Sequence, residues 1–229
     1  MSELVARIAS VQPATTSTRI VSLDLGAQPF AFEAGQAALI GLAGRTERVP
    51  YSIASAPVDT ATTGLLDFLI KIEPSGRWGH QFDTLGVGES IGVQGPFGTF
   101  TLPARLEDER LLFIAGGTGI APIRGMIRQS LVTGPKPPMR LLYSAKTSED
   151  FAYLPELGEM SARNGLDLRL HVTRNAPGAG RVGLAQLAPL VDDAATLCFV
   201  CGPESMVADV PRMLLELGID RRRIRVEEW

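Results

Sequence analysis

The chain has 229 residues, 45% of them hydrophobic, and its 22 basic and 25 acidic side chains leave a formal net charge of −3. That length suits one large domain or two small ones with a real core, and the charge balance excludes the basic footprint of a nucleic-acid binder. No apolar run approaches the roughly 20 residues that span a bilayer, and Met1-Ser2-Glu3 lacks the basic-then-apolar layout of a signal peptide, so a cytoplasmic, non-membrane protein is expected.

The first hundred residues read as strands. Short apolar or alternating runs at 2–9, 18–25, 37–42, 51–54, 65–72 and 90–93 are punctuated by Gly, Pro and Asp at the spacing of an antiparallel all-β barrel or sandwich. A segment at 102–109, with Pro103, Glu107, Asp108 and Glu109, reads as a linker between two domains, 1–103 and 110–229.

From Arg110 the rhythm changes. Strand patterns at 111–115, 140–145, 166–173, 196–201 and 224–226 alternate with helical patterns at 122–132, 153–162, 183–190 and 204–217. This alternation predicts an α/β domain with a parallel sheet and helices on both faces. The loops after Ala115, Ala145, Thr173 and Cys201 then lie at the carboxyl ends of the strands, where ligands of open parallel sheets bind.

The first of those loops is Gly116-Gly117-Thr118-Gly119-Ile120-Ala121-Pro122. Glycines at a strand end let the backbone approach a ligand closely, and Pro122 suits the first position of a helix, whose positive end favours a pyrophosphate. Gly117 and Gly119 fit the dinucleotide fingerprint G-x-G-x-x-G, while Pro122 stands at the third glycine.

Cys198 and Cys201 are the only cysteines. Three apart on a strand, they point to opposite faces, which argues against a disulfide. With His80 and His171 as the only histidines there is no evident second ligand pair for zinc, and two cysteines fall short of the four ligands of an iron–sulfur cluster, so no metal is expected.

Four landmarks now stand in order: Arg48-Val49-Pro50-Tyr51-Ser52-Ile53-Ala54-Ser55-Ala56-Pro57, the glycine turn, Val200-Cys201-Gly202-Pro203-Glu204-Ser205-Met206-Val207, and Glu227-Glu228-Trp229. Together with Ile70-Lys71 and Gly95-Pro96-Phe97-Gly98 they resemble the ferredoxin-NADP(H) reductase superfamily over nearly the whole chain, without a fused iron–sulfur domain. The resemblance implies a Greek-key β-barrel that binds FAD, followed by an α/β domain that binds NAD(P)H.

It also implies roles. Tyr51 resembles the tyrosine packed on the isoalloxazine ring and Ser52 the hydroxyl near flavin N5, with Ile70 and Lys71 in the same FAD-binding domain. Cys201, in the Cys201-Gly202-Pro203 run, resembles the cysteine beside the nicotinamide C4. Glu227 and Trp229 resemble the acid and terminal aromatic that cover the flavin, so Ser52, Cys201 and Glu227 form the expected catalytic set. Gly117, Thr118, Gly119 and Pro122 take the nicotinamide dinucleotide.

Two positions depart from the pattern. The family places an arginine two residues before the tyrosine for the FAD pyrophosphate; this chain has Val49 there and Arg48 one residue earlier. In Gly76-Arg77-Trp78-Gly79, Gly79 replaces the usual serine or threonine. Lys146, Thr173, Arg174 and Arg181 match cations and a hydroxyl that hold a 2′-phosphate, so NADPH is expected over NADH.

The function so implied is a flavoprotein reductase that passes electrons from NADPH through FAD to a separate ferredoxin or flavodoxin, docked on basic residues such as Arg7, Arg45, Arg48 or Arg77. An NADH-dependent reductase component of an oxygenase is one alternative. A non-catalytic electron-transfer or regulatory subunit that binds FAD weakly is another. Hydride transfer needs no general base, so Asp24, Asp150, Asp167 and His171 read as surface or turn residues.

Overall fold

The computed structural model describes residues 4–72, 84–134, 136–175 and 178–228. By its internal contacts the chain divides into two compact units, one of Met1–Leu102 with Arg124–Gln129, the other of Pro103–Ile123 with Ser130–Trp229.

The first unit holds six antiparallel strands: β1 (Leu4–Pro13), β2 (Thr18–Asp24), β3 (Ala37–Leu42), β4 (Val49–Ser52), β5 (Leu65–Lys71) and β6 (Ser90–Phe97). They pair in the order β4-β3-β6-β1-β2-β5. An antiparallel bridge between Ile53 and Phe68 then joins the two ends of that order and closes the sheet into a barrel. Three consecutive strands, β3 to β5, are followed by β6, which returns beside β3, the Greek-key arrangement.

Alternation dictates the barrel core. Ala6 and Ile8, Val21 and Leu23, Ala38 and Ile40, Leu66, Phe68 and Ile70, and Ile91 and Val93 are all buried, two residues apart on each strand. Each fully buried Ile, Leu or Phe contributes about 1.5–3 kcal/mol.

Some bounds differ from the sequence reading. β1 runs on to Pro13 because β2 keeps pairing down to Arg19, and β6 runs on to Phe97 because Ala37 pairs with it. β4 begins two residues early, at Val49, which pairs with Ile40. A short helix, α1 (Pro57–Thr63), follows it and ends at Gly64 in the left-handed region.

The second unit is a parallel sheet of β7 (Leu111–Gly116), β8 (Met139–Ala145), β9 (Leu166–Val172), β10 (Leu197–Gly202) and β11 (Ile224–Glu228), in the order β11-β10-β7-β8-β9. The helices that follow its strands are α2 (Ile120–Val132), whose Arg124–Gln129 count with the first unit, α3 (Leu154–Asn164), α4 (Leu184–Leu187) and α5 (Glu204–Glu216). β7 and β10 are buried at every position, as central strands covered on both faces must be. Cys198 and Val200 pack on one face with Leu112, Ile114 and Val210, while Phe113 and Phe199 stack at 5.4 Å on the other. The cysteines are thus free thiols turned to opposite faces.

Pro122 is not the first helical residue. A 3₁₀ turn at Gly117–Gly119 leads directly into α2, which starts at Ile120. Pro122 is tolerated two residues in because the first four helical N–H groups have no intrahelical partner.

Candidate functional site

In the second unit the chain leaves β7, moves outward through β8 to β9, then crosses back past β7 to lay down β10 and β11. The direction of winding therefore reverses between β7 and β10. Ligands of open α/β sheets bind outside the carboxyl ends of the strands at such a point. The residues there are Gly116, Gly117, Thr118 and Gly119 after β7, and Cys201, Gly202 and Pro203 at the end of β10.

These two turns pack backbone to backbone. A Cβ on Gly119 would stand 2.2 Å from the Cys201 carbonyl oxygen, so this glycine is required by close approach. Gly117 differs: its φ is +55°, and nothing lies within 4 Å of where a Cβ would project. It leaves open backbone at the start of a thirteen-residue helix, the geometry a pyrophosphate needs.

Tyr143 holds this turn from below, a role the sequence reading missed. It is buried on β8, in register with Ala115; its hydroxyl donates to the Gly117 carbonyl at 3.2 Å and accepts from the Ala152 N–H at 3.1 Å. Burial drives its phenol above the ordinary range. In sequence it reads only as one more apolar residue of a strand, and register alone shows what its hydroxyl can reach.

Cys201 pairs with Ala115 on one side and Glu227 on the other, so all three occupy one level of the sheet. Cys201 is fully buried. Burial pushes the Glu227 carboxyl up to about 7. Two of the three expected catalytic residues are therefore adjacent.

Beyond the strand ends β8 and β9 stay paired, the Thr173 N–H donating to the Ala145 carbonyl and the Arg174 N–H to the Lys146 carbonyl, each at 2.9 Å. Lys146 and Arg174, both exposed, are thereby neighbours at the carboxyl edge of the sheet, with Thr173 between β9 and Arg174. Arg181 is exposed, and its Nη1 lies 4.0 Å from an Asp209 carboxylate oxygen on α5. Asp150 caps its own turn through Thr147, and His171 shares a 2.8 Å hydrogen bond with the Gly180 carbonyl.

In the first unit Tyr51 and Ser52 end β4, opposite Ala38 and Ala37. Tyr51 is half-buried and Ser52 buried, their side chains on opposite faces of the strand. Arg48 turns inward on its own loop: Nη1 donates to the carbonyls of Leu42 (3.2 Å), Arg45 (2.5 Å) and Glu47 (2.9 Å). Ile70 is fully buried in the barrel core, which leaves only its backbone for a ligand, while Lys71 is exposed. Gly76, Gly79 and Trp229 lie outside the described residues.

The described residues fit both cofactor types, an aromatic and then a hydroxyl residue at the end of β4 for a flavin and an open glycine turn at a strand switch point for a dinucleotide. Similarity decides the family. Residues 6–102 match the oxidoreductase FAD-binding domain and residues 113–212 the oxidoreductase NAD-binding domain. Ferredoxin–NADP reductase B of Sorangium cellulosum is 32% identical over 98% of this chain and 96% of its own length.

The chain belongs to the ferredoxin–NADP reductase superfamily.

It is an FAD-dependent NAD(P)H oxidoreductase in which electrons pass from the nicotinamide by way of FAD. The reductase component of propane 2-monooxygenase from Gordonia is 30% identical over 90% of this chain, which spans 61% of that protein's length. Among solved structures, the cytochrome P450 reductase GcoB of Amycolatopsis superposes with a TM-score of 0.87 at 28% identity, covering 99% of this chain and 69% of that one. Among the described residues no helix is long and apolar enough to cross a membrane.

Proposed function

We propose that this reductase takes its hydride from NADPH and delivers electrons to a separate small acceptor protein, a ferredoxin or a flavodoxin. The observation that carries the nucleotide preference is the pairing of Lys146 with Arg174 at the carboxyl edge of β8 and β9, beside the Thr173 hydroxyl. Two cations and a hydroxyl suit a 2′-phosphate, where an NAD site would set an acid against the ribose hydroxyls. Arg181 joins them on the ligand side only by leaving Asp209, a weak exposed pairing.

In this reading residues 1–103 hold FAD and residues 110–229 hold the nicotinamide nucleotide. FAD held there would supply a hydride acceptor for the nicotinamide and a one-electron donor for the acceptor protein. Tyr51 offers its ring face to the isoalloxazine and Ser52 a hydroxyl that adjusts to the redox state. The family pattern assigns the remaining FAD contacts to Arg48, Lys71, Gly76, Gly79 and the Ile70 backbone, and the cover of the ring to Trp229. Gly117, Thr118, Gly119 and Pro122 hold the dinucleotide pyrophosphate at the start of α2. Cys201, with Gly202 and Pro203, spaces the nicotinamide ring, and Glu227, its carboxyl raised by burial to about 7, stands on the same level of the sheet.

Exposed Arg7 and Arg45 suit an acidic acceptor. Two free thiols suit the reducing cytoplasm. Reductase components among the relatives favour a second reading, NADH as donor and an oxygenase component as acceptor. Steady-state comparison of the two nucleotides separates them. Arg174→Ala should raise the KM for NADPH at least tenfold and leave that for NADH within twofold; equal effects on both would remove the 2′-phosphate assignment.

A further inference from the structure

Residues 54–59, directly after Tyr51 and Ser52, are gripped by one face of α2 within the first unit. Arg124, with only 11% of its side chain exposed, donates from Nη1 to the Ala54 carbonyl at 2.8 Å and lies 3.5 Å from an Asp67 carboxylate oxygen. A Cβ on Gly125 would come within 2.9 Å of the Ser55 carbonyl oxygen. One turn on, Arg128 donates to both carboxylate oxygens of Asp59, and Gln129 accepts from the Val58 N–H at 3.4 Å. Positions 124, 125, 128 and 129 form a single stripe on a helix.

Asp67 is itself fixed from three directions. Its carboxylate accepts from the Ser22 hydroxyl at 2.7 Å, its N–H donates to the Ser55 hydroxyl oxygen at 3.1 Å, and its carbonyl accepts from the Ala54 N–H at 2.8 Å. Ser55 in turn accepts from Thr60 at 3.1 Å. Arg124 thus joins a rigid β5 residue to the carbonyl two places beyond Ser52.

That carbonyl matters because β4 is short. It has four residues and pairs along its length with β3; just beyond its end the bridge of Ile53 to Phe68 and the Ala54 N–H on the Asp67 carbonyl tie the chain to β5, and Arg124 adds a side-chain tie to the same Asp67. We propose that Arg124 is a positioning residue of the flavin site: by bridging the Ala54 carbonyl and the Asp67 carboxylate it sets where β4 ends, and with it the Ser52 hydroxyl and the Tyr51 ring. The proposal rests on Tyr51 and Ser52 facing FAD. Because misplacement by about 1 Å at a reacting centre can cost 10²-fold in rate, the effect falls on the hydride step more than on FAD affinity.

Arg124→Met, which keeps bulk and removes the donors, tests this in the FAD-loaded protein. Flavin reduction at saturating nicotinamide nucleotide should slow at least tenfold, with KM and FAD affinity within threefold and a shifted visible flavin band. Arg124→Lys should recover part of the rate. Arg128→Met, which breaks the Asp59 pair one turn away, should lower the melting temperature and leave the rate within threefold. Wild-type reduction rates and an unshifted band in Arg124→Met would overturn the proposal and make Arg124 a brace only; if that variant does not fold, the same readouts on Arg124→Lys decide, and a wild-type rate and band there overturn it equally. Ser52→Ala is the control on the underlying reading, since an unchanged rate there would dismiss the flavin contact itself.

Discussion

Cys201 and Glu227 stand opposite each other on β10 and β11, a buried thiol beside a carboxyl that burial holds near neutrality, up to about 7. The folded state therefore binds the Glu227 proton more tightly than the unfolded chain does. Stability from this group is greatest at low pH and declines as pH rises from about 4.5 towards about 7.

Glu227→Gln should flatten that decline. Thermal melts at pH 5 and pH 8 should bring out a relative gain for the variant at the higher pH, about 1 kcal/mol after allowing for the solvent that still reaches the carboxyl, or roughly 2–4 °C. A melting difference independent of pH would mean the carboxyl titrates normally.

Tyr51→Ala should release FAD. Losing an aromatic face costs a few kcal/mol of contact, so the variant should purify with a depleted flavin complement and regain it only at high added FAD. Unchanged affinity by fluorescence titration would count against stacking.

Tyr143→Phe keeps the ring and deletes the hydroxyl, stranding the Gly117 carbonyl and the Ala152 N–H. We expect about 1–3 kcal/mol of lost stability, and a nicotinamide KM raised severalfold with FAD content preserved. Preserved KM alongside lost stability would confine Tyr143 to support of the fold.

Gly119→Ala drives a methyl group into the Cys201 carbonyl. Backbone cannot yield as a flexible side chain can, so the variant should bind FAD but reduce it poorly at any nicotinamide concentration, with about 1–3 kcal/mol lost. Wild-type reduction would show that the two turns part easily.

Much of this architecture was legible in the chain because burial writes a period. Leu66, Phe68 and Ile70 alternate as a half-buried strand must, and 111–115 and 197–202 are apolar throughout as central parallel strands must be. What escaped depends on partners distant in sequence. Arg181 stands among the candidate phosphate ligands by sequence, and its neighbour Asp209, 4.0 Å away, comes from α5. Arg124 and Ala54 are seventy residues apart, and no local pattern announces their bond.

The most direct measurement is an anaerobic titration of the FAD-loaded protein with NADPH and, separately, NADH, followed in the visible spectrum. The flavin band should bleach with one equivalent of NADPH, faster than with NADH, and return on addition of an oxidised ferredoxin or flavodoxin. A protein that binds no FAD, or a flavin band that neither nucleotide bleaches, would contradict the account.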